Sequence, residues 1–467
     1  MLWQWNELLK ATGGKAYGAV LPAGIFGISI DSRDLTRGDL FVALAGNPGP
    51  RFQATTVSDR DGHDFLPQAR AVGAAAALIS KPEKLGELPG IFVTDTLDAL
   101  WAIARYRRAE LPAQRIAVTG SSGKTTAKSL LAKACSAWAE PGSLNNHIGV
   151  PLSLARTPGG CDVAIYEVGT NHPGEIAPLS ELVAPHVGIV LNVHSAHIGN
   201  FDGFRALMAE KMSLAEGIVP GGTLVREAGL PASSRTDLRQ ITFGTDAKAM
   251  IRLTGVEGTV ATFQLPTRNL IARIPGGGEH RALSLAAVIA TLIALDRDPE
   301  AAADLGDDLV PAGRGQAFDV AGIQVIDDSY NANPDSMTAS IRNFSRLNGK
   351  RRFALLGEML ELGAKSARYH QGLADEVTSL DGFWAVGEGM RVLEGLPNCI
   401  GWTSSADDAL LAEVVRRLTK GDAVLIKGSN RVFWAQNFLS RLRLTLDKRT
   451  DGAKKDPTPG EASGNSH

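Results

Sequence analysis

Cysteine is scarce: Cys135, Cys161 and Cys399 are spread over 467 residues without paired spacing, which argues against a disulfide framework or a thiolate metal site and fits a reducing cytoplasm. Excess charge is lacking as well. Lys and Arg number 48 against 50 Asp and Glu, a formal net charge of -2, so nothing electrostatic favours nucleic acid or an anionic membrane as the main partner. A polyanionic small molecule stays compatible, because it asks only for a local positive site. No stretch approaches the ~20 uninterrupted apolar residues of a membrane span. Met1-Leu2-Trp3-Gln4-Trp5-Asn6-Glu7 carries neither the basic flank nor the apolar run of a signal segment. What remains is 44% apolar and 21% charged, ordinary for a soluble enzyme and too long for one hydrophobic core, so two or three domains are expected.

The most informative stretch present is Ile116-Ala117-Val118-Thr119-Gly120-Ser121-Ser122-Gly123-Lys124-Thr125-Thr126. A β-prone run enters a glycine-bounded turn, and a lysine with two hydroxyls then opens a helix. Gly120 and Gly123 let backbone N–H groups approach an anion without a side chain in the way, and the helix N-terminus adds its partial positive charge. Lys124 suits the outer phosphates of a nucleotide and Thr125 suits Mg²⁺. The strict pattern has a glycine at position 118, where this chain carries Val118, so the loop is a shortened one.

Around this loop the chain reads as alternating strands and helices. Residues 1 to about 108 form a small α/β unit, with strands at 25–30, 39–44 and 77–80 and a helix near 66–77. Its Gly/Pro-rich stretch at 46–51 reads as a loop. From Arg115 onward, apolar runs at 162–168 and 187–193 are of the kind that a parallel sheet covered on both faces demands, and a doubly wound, mostly parallel sheet is expected. The helix after the phosphate loop buries Ala127, Leu130, Leu131, Ala134 and Trp138 on one stripe. A second alternating set has strands at 323–327, 353–357, 383–386 and 423–427. Pro311-Ala312-Gly313-Arg314-Gly315 lies between the sets as a hinge. From about Asp447 the chain is polar and aperiodic, and a disordered tail over 447–467 is expected.

Ligands of open parallel sheets sit beyond the carboxyl ends of the strands. Glu167 ends one apolar strand, and a carboxylate there is expensive unless metal-bound or salt-bridged; with Mg²⁺ already implied, a ligand role is the favoured reading. His194 and His197 follow the next strand, and spacing does not say which acts. Lys211 reads, by residue type alone, as an exposed helical lysine. Asp327-Asp328-Ser329-Tyr330-Asn331-Ala332-Asn333-Pro334 suits a nucleoside or, equally, a helix N-cap with a turn.

In their order, residues 119–126, Asn145-Asn146-His147-Ile148-Gly149-Val150-Pro151, Glu167, Ser195-Ala196-His197, Lys211, Gly313-Arg314 and Tyr330-Asn331-Ala332-Asn333-Pro334 resemble the Mur ligase superfamily. These are ATP-dependent amide-forming enzymes of peptidoglycan precursor synthesis, and the likeness runs from about residue 25 to about residue 430. Asp31-Ser32-Arg33, residues 38–44, Asp61-Gly62-His63-Asp64-Phe65 and Leu356-Gly357-Glu358-Met359-Leu360-Glu361-Leu362-Gly363 most resemble the branch that adds D-Ala-D-Ala to a UDP-MurNAc-tripeptide. The Asp-Asn-Pro-Arg motif of the branch adding diaminopimelate or lysine is absent from the sequence.

The resemblance implies a fold and a set of roles. It implies a UDP-binding domain over 1–108, a central P-loop ATPase domain over 109–312 and a Rossmann-like α/β domain over 313–446. Gly120, Ser121, Ser122, Gly123, Lys124, Thr125 and Thr126 would hold ATP, joined by Arg314, Asp328, Tyr330 and Asn333. Thr125, Glu167, His197 and Lys211, the last as a CO₂-derived carbamate, would ligate Mg²⁺, with two ions in all. Asn145 and Asn146 would flank the transferring phosphate, while Ser32, Arg33 and Asn171 would bind the UDP-linked substrate. A cytoplasmic monomer is implied.

Three stretches depart from the family pattern: Gly278-Glu279-His280-Arg281-Ala282-Leu283-Ser284, Asn430-Arg431-Val432-Phe433-Trp434, and a long loop from Asn47 to Arg60. The departures at 281, 284 and 430 keep open a non-catalytic paralogue that binds nucleotide-sugar peptides; a ligase for another acceptor, such as a folate glutamylation enzyme, is a third reading, which the Asp61-Gly62-His63-Asp64-Phe65 stretch argues against.

Overall fold

The computed structural model describes residues 1–18, 20–47, 60–194, 198–347 and 351–453, with backbone alone for 449–453. Two compact units divide the chain between Leu309 and Val310. Most of the long loop at 47–60 lies outside the described residues.

Besides the two-stranded antiparallel pair Trp3–Gln4 with Gly24–Ile25, the first unit holds two larger sheets. The smaller has the order Lys15–Tyr17, Gly90–Phe92, Ala76–Ile79, Leu40–Val42, Ile28–Ser29, parallel except for its first pair. The larger has nine strands. Its parallel part runs from Trp138–Ala139 through Val163–Glu167, Gln114–Thr119, Val187–Val190, Thr223–Glu227 and Arg239–Gly244 to Ile251–Glu257, and Val260–Gln264 and Asn269–Arg273 extend it as an antiparallel meander. Side chains alternate across a strand, so Ile116 and Val118 enter one core with Leu130, Leu131 and the helix Glu279–Ala294, while Ala117 and Tyr166 enter another with Leu179 and Leu207. Apolar residues on both faces are what make these strands read as unbroken hydrophobic runs.

The helix Thr96–Glu110 runs through residue 108, where a domain boundary was expected, and serves both sheets. Its Leu100 and Ile103 pack with the small sheet, and its Trp101 and Ala104 with the large one. One expectation fails nearby. Trp138 is not on the phosphate-loop helix, which ends at Ala134; Ser136 takes φ 50, turning the chain into the short strand Trp138–Ala139, where Trp138 is half-buried.

The second unit is built on one sheet, in the order Gln316–Val320, Ile323–Asp328, Ala423–Lys427, Arg352–Gly357, Gly382–Val386, Cys399–Thr403, parallel but for the first pair. Separate apolar clusters cover its two faces. The closing helix spans Phe438–Ala453, past Asp447 where the aperiodic tail was expected to begin. Residues 454–467 lie outside the described residues.

Candidate active site

The strand Gln114–Thr119 delivers the chain into the turn, and the helix Lys124–Ala134 leaves it. Gly123 has φ +79, and a Cβ there would stand 3.1 Å from Ser284 Oγ, so both conformation and space call for glycine. Ser284, at one of the departing positions, is thus packed against the loop. Arg281, at another, is buried and donates to the carbonyls of Gly276 (2.6 Å) and Gly277 (2.9 Å). The amides of Ser121 and Ser122 both point to Asn192 Oδ1, at 3.0 Å each. The first helical turn remains as an anion cradle, because its N–H groups have no intrahelical acceptor.

Two lysines converge on one carbonyl. Lys124 Nζ donates to Gly120 O at 2.8 Å, and Lys211 Nζ approaches the same oxygen at 3.4 Å. Lys211 is not the surface lysine its residue type suggested: it is 1% exposed. Burial pulls its amine down to about 7, the Lys124 ammonium adds to that, and Glu210 opposes it. Glu210 itself reaches back to cap the helix Ile176–Val183, accepting from the amides of Gly174, Glu175 and Ile176 at 2.7 to 2.9 Å.

Glu167, also buried, joins the loop to its surroundings. Its Oε2 accepts from Thr125 Oγ1 at 2.9 Å; its Oε1 accepts from Ser143 Oγ at 2.7 Å and from Asn145 Nδ2 at 2.8 Å. The salt-bridge alternative is present too, since Lys128 Nζ lies 3.8 Å from Oε2. Lys128 is buried and donates to the carbonyls of Glu140 and Gly142, at 2.7 and 2.5 Å. A hydroxyl and a carboxylate meeting beside a phosphate loop are hard oxygen donors that fit Mg²⁺. His197, expected as a ligand alongside these and Lys211, lies outside the described residues together with Ser195 and Ala196. Among the described residues no cluster of three His, Cys, Asp or Glu side chains is placed to hold a metal.

A cavity of about 660 Å³ opens alongside, and it gathers residues from distant parts of the sequence: Ser32, Arg33, Asn145, Asn146 and Asn171 all line it, with Thr96, His147 and Glu175. Ser32 Oγ donates to Gln68 Oε1 at 2.9 Å, and Arg33 Nε to Asp31 Oδ1 at 2.9 Å, leaving the Arg33 side chain 80% exposed. Asn146 Oδ1 accepts from the amides of Ile148 and Gly149, fixing the start of the helix Gly149–Arg156. Glu175 Oε2 accepts from the amides of Asn171 (2.7 Å) and His172 (3.1 Å). Asp61 and His63 flank Gly62, which lines the cavity. Burial pushes the Asp61 carboxyl up, but bonds from Lys81 and His63 hold it well below the usual carboxylate range, while His63 Nε2 accepts from Ser80 N at 2.9 Å.

The second unit carries its own cluster. Arg314 lies over the Tyr330 ring (4.3 Å), and Tyr330 meets Trp434 edge to face at 5.3 Å. Asp328 Oδ2 accepts from Lys427 Nζ at 2.8 Å and Ser340 Oγ at 2.5 Å. Asn333 is a helix N-cap: its Oδ1 accepts from Ser336 N at 2.9 Å and its own amide donates to Ser336 Oγ. Sequence reasoning missed Asn192, Lys128, Ser143 and Glu175. Lys128 sits one turn beyond Lys124 on a buried helix face, and that position was the one readable sign of it.

Residues 118–292 match the Mur ligase middle domain and residues 313–430 the Mur ligase glutamate ligase domain. The UDP-N-acetylmuramoyl-tripeptide--D-alanyl-D-alanine ligase of Escherichia coli is 33% identical over 82% of this chain and 85% of its own length. That of Rickettsia prowazekii is 28% identical over 92% and 98%. Among solved structures, MurF from Acinetobacter baumannii superposes with a TM-score of 0.79 at 29% identity, covering 95% of this chain and 99% of that one. MurF from Thermotoga maritima, in complex with ADP, gives 0.76 at 27% identity over 91% and 98%.

Proposed function

The chain belongs to the Mur ligase family, in the branch of D-alanyl-D-alanine-adding ligases, and from that premise we propose that it joins D-Ala-D-Ala to UDP-MurNAc-tripeptide with ATP, in peptidoglycan precursor synthesis. The observation that carries this reading is the position of Glu167. One of its oxygens is bonded to Thr125 of the phosphate loop and the other to Asn145 of the cavity wall. Nucleotide chemistry and a carboxylate-bearing substrate therefore have a common meeting point. A carboxylate is a poor electrophile, so phosphoryl transfer from ATP to the tripeptide's terminal carboxylate makes an acyl phosphate. The amine of D-Ala-D-Ala then attacks its carbonyl, a C–N bond forms, the amine loses its proton, and phosphate leaves. ADP is the other product.

Anions crowd together in both steps, and Lys124 is the cation positioned to meet the phosphates. Thr125, Glu167, His197 and a carbamate on Lys211 would hold Mg²⁺, which supplies charge neutralisation and Lewis acidity when bound. A buried amine drawn to about 7 is partly neutral at physiological pH, the form that adds CO₂ to give a carbamate and a proton. Asn145 and Asn146 orient the carboxylate; Ser32, Arg33 and Asn171 bind the UDP-linked end. Within the second unit, Arg314, Asp328, Tyr330 and Asn333 are the residues assigned to ATP binding. The setting is a cytoplasmic monomer. The test is phosphate release with substrate omission and product mass: release is expected only with UDP-MurNAc-tripeptide, D-Ala-D-Ala and Mg²⁺ together. Release that ignores the dipeptide, or a product carrying another acceptor, would refute it.

A further inference from the structure

We propose that Asn192 is a positioning residue for the phosphate loop, holding the backbone of Ser121 and Ser122 in the shape that receives a nucleoside polyphosphate; this rests on the nucleotide reading above. With Val118 buried in the strand, only residues 120–123 separate the strand's end at Thr119 from the helix's start at Lys124. Two N–H groups of this short turn meet one acceptor, Asn192 Oδ1, at 3.0 Å each, and Asn192 Nδ2 returns a bond to Ser122 O at 3.3 Å.

The main chain continues the seam. Ser121 N also reaches Asn192 O at 3.1 Å, and Ser121 Oγ accepts from His194 N at 2.9 Å. A Cβ on Gly120 would stand 3.0 Å from Leu191 Cβ, so the loop lies directly on this segment. One oxygen shared by two successive amides is the arrangement in which a backbone nest holds an anion. Here the occupant is an uncharged amide, which fixes the turn without placing a carboxylate beside the incoming phosphates.

The test is isothermal titration of MgADP into the whole protein, with amide hydrogen exchange over 119–126 and steady-state kinetics. Asn192→Ala is expected to weaken MgADP more than fivefold and to speed exchange of the loop amides. KM for ATP should rise while KM for UDP-MurNAc-tripeptide stays within twofold, a split that general loosening of the fold does not produce. A smaller loss of MgADP affinity overturns the proposal. Asn192→Asp covers the case in which the alanine variant does not fold: a carboxylate oxygen accepts the same two amide bonds and gives up only the return bond to Ser122 O, so the Ser121 and Ser122 amides should exchange at the wild-type rate, and faster exchange of these two overturns the proposal. Wild-type protein that binds no MgADP would instead overturn the nucleotide reading.

Discussion

Single residues carry the sharpest consequences. Lys211→Ala should lower phosphate release on the order of 10²- to 10³-fold, the scale of losing a preorganised electrostatic group, and short carboxylic acids should restore part of it by standing in for the carbamate. Full activity in the variant, measured with all substrates present, would return Lys211 to a packing role. Lys128→Met removes the donor to two carbonyls and an ammonium 3.8 Å from Glu167; removing one partner of a buried charged cluster costs about 3–5 kcal/mol. An unchanged urea midpoint would contradict that. Lys124, Thr125 and Glu167 were legible in the sequence because a phosphate loop and a strand-end carboxylate declare themselves locally. Asn192 was not, since its partners stand 70 and 71 residues away, and the burial of Lys211 is a property of packing that residue type does not reveal.

At the scale of elements, the loop after the strand Arg352–Gly357 is tied down by a histidine. His370 Nε2 accepts from Met359 N at 2.9 Å and its Nδ1 donates to Ser366 O at 2.8 Å, an arrangement that requires the neutral ring. Burial lowers its pKa from the ordinary 6.5, against the upward pull of the Ser366 carbonyl and Glu358. The unfolded chain therefore binds a proton that the folded one refuses, and stability falls as pH drops below 6.5. In His370→Gln, the difference between urea midpoints at pH 7 and about pH 5 should shrink; an unaltered difference would count against the tie. Leu130→Ala, fully buried on the phosphate-loop helix, should cost about 2–5 kcal/mol, read from the same denaturation curves. The parallel strands were readable as apolar runs. The stretch from Thr223 to Arg273 was not, because Ile251–Glu257, Val260–Gln264 and Asn269–Arg273 bury only two residues each, two positions apart, and so show no unbroken apolar run.

The whole molecule is two units, each with its own ligand-facing residues. If the cavity of the first takes UDP-MurNAc-tripeptide as proposed, calorimetry should show the unfolding of Met1–Leu309 shifted upward, by about 2.7 kcal/mol at a hundredfold excess over Kd. No shift of that transition would detach the cavity from the substrate. The sharing of the helix Thr96–Glu110 also bears on synthesis. The core of the small sheet includes Leu152 and Ala155, and Trp3 Nε1 donates to Ala155 O at 2.8 Å. A nascent chain that has released its first hundred or so residues from the ribosome consequently still lacks part of the wall its opening strands pack against. The amino-terminal segment has to wait, partly folded and within reach of chaperones, until the phosphate loop and the helix Gly149–Arg156 have emerged behind it.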